Sequence, residues 1–132
     1  MKGSYAIIIE LKQDKDITVG KIGKIFFKKG CYVYIGSGFN GLKQRIKRHI
    51  TTDKKKHWHI DYLLEKADIL KIFIKESNQK QECEIANNFS KKLSSISSFG
   101  CSDCQCKSHL FYGHIEDIYQ ITNELDMINY NF

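Results

Sequence analysis

Two histidines flank a tryptophan in the string HWHIDYLL at residues 57–64, and Asp61 follows His59 by two positions. Imidazole is the side chain most readily recruited for proton transfer or metal binding near neutral pH, so His57 and His59 invite a catalytic reading, with Asp61 one turn on as an orienting partner for the His57 ring. The plainer alternative is that the string opens a buried helix. Other residues raise the same question. Arg45 could offer a planar fork of donors to a phosphate, or it could lie along apolar surface with its head in water. His49 stands four residues on, on the same side of any helix. Tyr5 and Tyr34 carry phenols, although tyrosine is also simply common in strands. Glu82 falls in phase with Ala86 and Phe89, which turns a carboxylate toward the core side of a helix. A carboxylate placed there needs an ion pair or a metal, unless it sits in the first helical turn, partly wet and aligned with the helix dipole.

The five cysteines are Cys31, Cys83, Cys101, Cys104 and Cys106. Their odd number, with no export signal in view, argues against a disulfide scaffold and for free thiols or metal ligands. Cys101, Cys104, Cys106 and His109 form C-x2-C-x-C-x2-H, a donor set that suits zinc, with Cys83 as a further candidate. Zinc sites normally pair two separated knuckles, whereas these donors crowd one loop. The crowding favours free thiols near the Glu82 helix over a structural zinc, and His109, just before LFY, would then be a polar side chain near the cleft. A zinc deaminase is excluded, because it needs H-x-E and P-C-x-x-C. An H-E-x-x-H metalloprotease is excluded for want of the same glutamate.

Charge is concentrated. Between residues 43 and 56, Lys43, Arg45, Lys47, Arg48, Lys54, Lys55 and Lys56 stand against Asp53, a net of +6 that equals the net charge of the whole chain. Such a patch is the footprint of a phosphate-backbone binder, or else a solvated helix face and a lysine loop. No apolar run approaches the roughly 20 residues needed to cross a bilayer. The expected setting is the cytoplasm, with no membrane partner.

The elements that must position these residues follow from periodicity. The 132 residues suit a single domain with one modest core. SYAIIIEL alternates as a strand with Tyr5, Ile7, Ile9 and Leu11 on one face. DITVGKIGKIFFKKG suggests short strands broken by glycine. In CYVYIGSG, Tyr32 and Tyr34 point one way and Cys31, Val33 and Ile35 the other. A helix follows with Leu42, Ile46 and Ile50 as its stripe and with Arg45 and His49 at its edge. HIDYLLEKA reads as a second helix with Ile60, Leu63, Leu64 and Ala67 inward, and ILKIFIK as a strand. A third helix is expected from about Gln79 to Leu93, then a final strand at SHLFY. A C-terminal amphipathic helix over about 115–129 would either pack on its own domain or make a homodimer. The irregular alternation predicts an α+β domain with a small, mainly antiparallel sheet flanked by helices.

Taken in order, G-S-Y at 3–5, Y-I-G at 34–36, L-K-Q-R-I-K-R-H at 42–49 and an inward Glu82 resemble the GIY-YIG nuclease superfamily. Ser4 stands where the first motif has isoleucine. The strings GSYAIIIEL, VGKIGKIFFKKGCYVYIGSG, LKQRIKRH, KHWHIDYLL, ECEIA and GCSDCQCKSHLFY look more narrowly like a compact prokaryotic branch of uncharacterised function. Members of that branch occur alone or joined to DNA-repair-type proteins. Tyr5 fits the first tyrosine better than Tyr32, because Tyr32 shares a strand with Tyr34 and cannot supply the paired one.

The resemblance implies metal-assisted phosphodiester hydrolysis in DNA or another nucleic acid. Glu82 would hold one divalent cation, Mg2+ by preference. Tyr5 would help activate the attacking water, its pKa lowered by nearby positive charge. Arg45 would brace the charged phosphorane, and Tyr34 and His49 would position the phosphate or relay protons. Lys43, Lys47, Arg48, Lys54, Lys55 and Lys56, with His57 and His59, would track the nucleic-acid backbone. Two other readings stay open: a nucleic-acid-binding module of the same fold without turnover, and a zinc-stabilised interaction domain.

Overall fold

A computed structural model of the chain describes residues 1–100 and 108–132. Its centre is β1 (Gly3–Leu11), a strand apolar on both faces. Such a strand is stable only inside a sheet covered on both sides. It pairs antiparallel with β4 (Gly30–Ser37) on one edge and with β5 (Asp68–Glu76) on the other. Two short strands, β6 (Ser94–Ser95) and β7 (Leu110–Gly113), extend the β4 side. The strand β8 (Ile128–Tyr130) closes the β5 side, giving the order β6-β7-β4-β1-β5-β8 with every pairing antiparallel. A separate hairpin is formed by β2 (Lys15–Val19) and β3 (Gly23–Phe27). The domain is α+β, as its alternating pattern predicts.

The period-two alternation of β1 sorts its side chains into two cores. Tyr5, Ile7, Ile9 and Leu11 face a cluster with Tyr32 and Tyr34 from β4 and with Ile17, Val19 and Phe27 from the hairpin. Leu42 and Ile46 of α1 (Leu42–Ile50) and Ile60 and Leu63 of α2 (His59–Leu64) complete that layer. Ala6 and Ile8 face the other way with Val33 and Ile35. There they meet Ile85, Ala86 and Phe89 of α3 (Glu82–Ser90) and Ile118 and Ile121 of α4 (Ile115–Glu124).

Three expectations change. The third helix begins at Glu82 and stops at Ser90, shorter at both ends than Gln79–Leu93. Glu82 is thus the first helical residue, where a carboxylate complements the helix dipole. The strand at SHLFY is not the last, because β8 follows α4. The terminal helix ends at Glu124 rather than near 129. Asp126 takes a left-handed conformation with φ 57°, its N–H bonds the Asn123 carbonyl, and the Met127 N–H reaches back to Thr122. That pair of bonds is a Schellman termination, which redirects the chain into β8. The apolar stripe of α4, Ile118 and Ile121, is buried within its own domain. No helix among the described residues is long and apolar enough to cross a membrane.

Ile7 is fully buried, whereas Phe26 on the hairpin is 55% exposed. Ile7→Ala is expected to lower the unfolding free energy by about 2–5 kcal/mol, and Phe26→Ala to change it by no more than about 0.5 kcal/mol. Urea denaturation followed by circular dichroism checks both.

Candidate active site

The tyrosines come together because β1 and β4 run antiparallel in one register. Tyr5 lies opposite Gly36, two residues beyond Tyr34 and on the same face. A Cβ at position 36 would overlap the ring and hydroxyl of Tyr5. The glycine of Y-I-G is therefore a vacancy that lets the Tyr5 ring lie across the neighbouring strand.

The two tyrosines open onto a cleft of about 320 Å3 at the end of the sheet where β1 begins and β4 ends. Arg45 enters it from α1 and Glu82 from the first turn of α3. Although α3 packs on the far face of the sheet, its N-terminus reaches round the sheet end. His57, Trp58 and His59 form another wall, and Lys80, Gly100 and His109 complete it. Four of the expected site residues, Tyr5, Tyr34, Arg45 and Glu82, thus line one cleft, together with His57 and His59.

His49 lies behind Tyr5 rather than in the cleft. It is 2% exposed, and its Nε2 is joined to the Tyr5 hydroxyl by a 2.6 Å hydrogen bond. Its Nδ1 has no hydrogen-bond partner among the described residues. An unsatisfied buried donor or acceptor costs about 1–3 kcal/mol, a cost that marks positions kept for reasons other than stability. Burial, helped by the charge of Lys54, pushes the His49 pKa down to about 3, against the opposing pull of Asp61. His49 is therefore neutral at pH 7.

The phenols depart from expectation. Positive charge was to lower the Tyr5 pKa. Arg45 does act in that direction, but burial is the larger effect and holds the phenol above its ordinary range. Tyr34 is raised by burial too, with Tyr5 and Glu82 adding to the shift. Both are neutral phenols at physiological pH.

Asp61 is a further site residue that the sequence hinted at only faintly. Its carboxylate is fully buried and accepts both terminal nitrogens of Arg48, each at 3.0 Å. It also accepts the backbone N–H groups of His57 at 2.8 Å and Trp58 at 2.9 Å. Burial alone would raise its pKa. The hydrogen bonds from Arg48, Trp58 and His57 outweigh that and hold it below the ordinary value. Asp61 therefore serves the backbone of His57, not its ring. A carboxylate at the third position of a helix, reaching back to the residues before it, was the available signal.

The basic stretch divides into parts. Arg48 is committed to Asp61. Lys54 donates to the Arg48 and His49 carbonyls, both at 2.9 Å, and so caps the C-terminus of α1. Lys56 pairs with Glu65 at 2.7 Å. Lys43, Lys47 and Lys55 are exposed on the surface. None of these six lines the cleft. His59 accepts the Gly100 N–H on Nδ1 at 2.9 Å, tying the cleft wall to the backbone at a glycine with φ 73°.

Lys80 and His109 are cleft residues that periodicity could not place. Lys80 lies in the connection before α3 and His109 in the connection before β7, where side-chain direction follows no simple period. His109 is 4% exposed at its side chain, with Nδ1 4.0 Å from a Glu82 oxygen and Nε2 3.8 Å from the Cys83 sulfur. Burial lowers its pKa, with Glu82 opposing. Cys101, Cys104 and Cys106 lie outside the described residues, and with them the zinc and free-thiol expectations.

Glu82 is the one carboxylate among the described cleft residues, and its side chain is 24% exposed. Among the described residues no group of three or more His, Cys, Asp or Glu side chains is placed to hold a metal ion. A single half-wet carboxylate suits a hard cation that keeps most of its water and takes substrate oxygens.

The chain belongs to the DUF123 family, a domain of unknown function, whose family model matches residues 4–128. No curated protein and no solved structure matches it.

His49 makes stability pH-dependent in a definite direction. The unfolded chain takes a proton at this residue near the ordinary value of 6.5, the folded chain only near 3. The stability tied to neutral His49 is therefore complete above about pH 6.5 and is lost as pH falls toward 3. Over that window the unfolding free energy of the wild type is expected to fall more steeply than that of His49→Gln, by about 1.4 kcal/mol per pH unit at most. Parallel profiles from urea titrations at several pH values would show that His49 titrates normally.

Proposed function

We propose that the protein is a metal-dependent endonuclease that hydrolyses phosphodiester bonds in DNA or structured nucleic acid, acting in the cytoplasm with the GIY-YIG arrangement its motifs resemble. The observation that carries this reading is the meeting of Tyr5, Tyr34, Arg45 and Glu82 in one cleft, with Tyr5 bonded at 2.6 Å to a buried neutral imidazole.

Glu82 would hold the cation, Mg2+ by its hard, single-carboxylate character. When bound, that ion supplies charge stabilisation at the leaving oxygen. The chain's own groups do the rest. With its proton on Nδ1, His49 presents Nε2 as an acceptor to the Tyr5 hydroxyl. The Tyr5 oxygen takes a proton from the attacking water while passing its own to His49. The relay avoids a free phenolate, which burial would make costly. It leaves an imidazolium on His49, opposed by burial and Lys54 and favoured by Asp61 and by the incoming phosphate. Arg45 meets the negative charge that develops on phosphorus. Tyr34 donates to a phosphate oxygen and sets its orientation. Lys80 raises the positive potential of the cleft wall, His57 offers its ring nitrogens to the phosphate, and the exposed Lys43, Lys47 and Lys55 guide the backbone toward it.

The raised pKa of Tyr5 favours one competing reading, a binding module of the same fold without turnover. One experiment separates the two. Wild type with Mg2+ or Mn2+ should cut members of a panel of linear, branched and single-stranded DNA and RNA. Glu82→Ala should lower the rate at least about a hundredfold while leaving the fold and salt-sensitive binding intact. Binding without cleavage in both proteins, across several divalent metals, would refute the nuclease and leave the binding module.

A further inference from the structure

We propose that Asp61 is a positioning residue for Arg45, acting through Arg48 and the ring of Trp58; what Arg45 does once positioned rests on the nuclease reading above. Asp61 is a charge with no exposed side-chain surface, and its two oxygens take four short hydrogen bonds, from Arg48, His57 and Trp58. A buried ion pair of this kind is seldom more stabilising than apolar residues of the same volume. Its distinctive contribution is direction, because each bond fixes where a neighbour points.

The neighbours converge on one ring. The Arg48 guanidinium carbon lies 4.1 Å from the centroid of the Trp58 ring, and that of Arg45 lies 4.4 Å from the same centroid. The two arginines are three residues apart on α1, and two like charges so close repel. The π face of the indole and the Asp61 carboxylate offset that repulsion. Asp61 holds the indole by its backbone N–H and holds Arg48 against it.

Arg45 thus shares the indole with Arg48, whose own place the Asp61 carboxylate fixes. A guanidinium stacked by its face keeps its N–H donors in the plane, available at its edge. That edge belongs to the cleft wall, beside Tyr5, whose pKa responds to the Arg45 charge. An unstacked arginine would sample many rotamers, and misplacement by about 1 Å of a group that meets the transition state costs about a hundredfold in rate.

Trp58 is the single tryptophan in the chain, so its selectively excited fluorescence reports this stack directly. The test uses the full chain and the substitutions Asp61→Asn and Arg45→Ala, singly and together. Asp61→Asn should move the Trp58 emission in the absence of substrate. It should lower kcat by about 10- to 100-fold, with KM changed by less than about threefold. In the Arg45→Ala background, the effect of Asp61→Asn on kcat should shrink to less than about threefold, because most of its influence passes through Arg45 and only its pull on the His49 imidazolium remains. Equal factors in both backgrounds would overturn the proposal, since Asp61 would then act independently. So would wild-type Trp58 emission in Asp61→Asn. If Asp61→Asn does not fold, the paired variant Asp61→Asn with Arg48→Met removes both buried charges and enters the same cycle with the same two outcomes. A wild type that cuts no nucleic acid refutes the nuclease reading by itself, while the emission measurement still decides whether Asp61 governs the stack.

Discussion

The contact between the Tyr5 hydroxyl and His49 Nε2 is the point on which the cleft depends. It ties the central strand to the last turn of α1, and it exists because no side chain occupies position 36. Remove that vacancy and the Tyr5 ring must leave the face of β4. His49 would then be a buried imidazole with neither nitrogen satisfied. The bond also sets the rotation of α1. With His49 turned inward beside Leu42 and Ile46, Arg45 falls one turn earlier at the cleft wall. One hydrogen bond and one missing Cβ thus place a phenol, an imidazole and a guanidinium together.

Around that contact the charges have separate tasks. The stretch from Lys43 to Lys56 looks uniform as a string of basic residues, yet Arg48 is spent on buried Asp61 and Lys54 on the end of α1. Arg45 and Lys80 bring positive charge to the cleft, while Lys43, Lys47 and Lys55 carry theirs on the surface. Cleft and surface charges differ in kind, because surface charges are screened by salt and attract without orienting. HWHIDYLL divides in the same way. Trp58 and Asp61 shape the arginine pair, His59 fastens Gly100, and His57 stands exposed at the cleft. Ile60 and Leu63 seat the helix in the core.

Much of this was legible because period-two and period-3.6 patterns report which face is covered. The face of β1 shared by Tyr5, Ile7, Ile9 and Leu11 and the opposed faces of Tyr34 and Ile35 follow from alternation, and the Leu42–Ile46 stripe follows from the helical period. The limits arise where local pattern gives way to contacts distant in sequence. His49 was expected at the edge of its stripe, and its burial depends on Tyr5, 44 residues away. Asp61 lies among apolar residues on a short helix, and its partner Arg48 belongs to another element. Lys80 and His109 come from connections, where side-chain direction has no period. The end of α4 turned on one left-handed residue, Asp126, which composition does not announce. The Tyr5 pKa went the other way because burial, a property of the whole fold, exceeded the pull of one nearby arginine.

Crystals soaked in Mn2+ and measured for its anomalous scattering test most directly whether this cleft is a metal-dependent phosphodiesterase site. The expected result is a single strong peak at coordination distance, about 2.0–2.2 Å, from a Glu82 carboxylate oxygen, on the side of the cleft that faces Tyr5 and Arg45. A cleft that stays without a peak at saturating Mn2+, with and without a bound oligonucleotide, would contradict the role given to Glu82 and with it the hydrolytic mechanism.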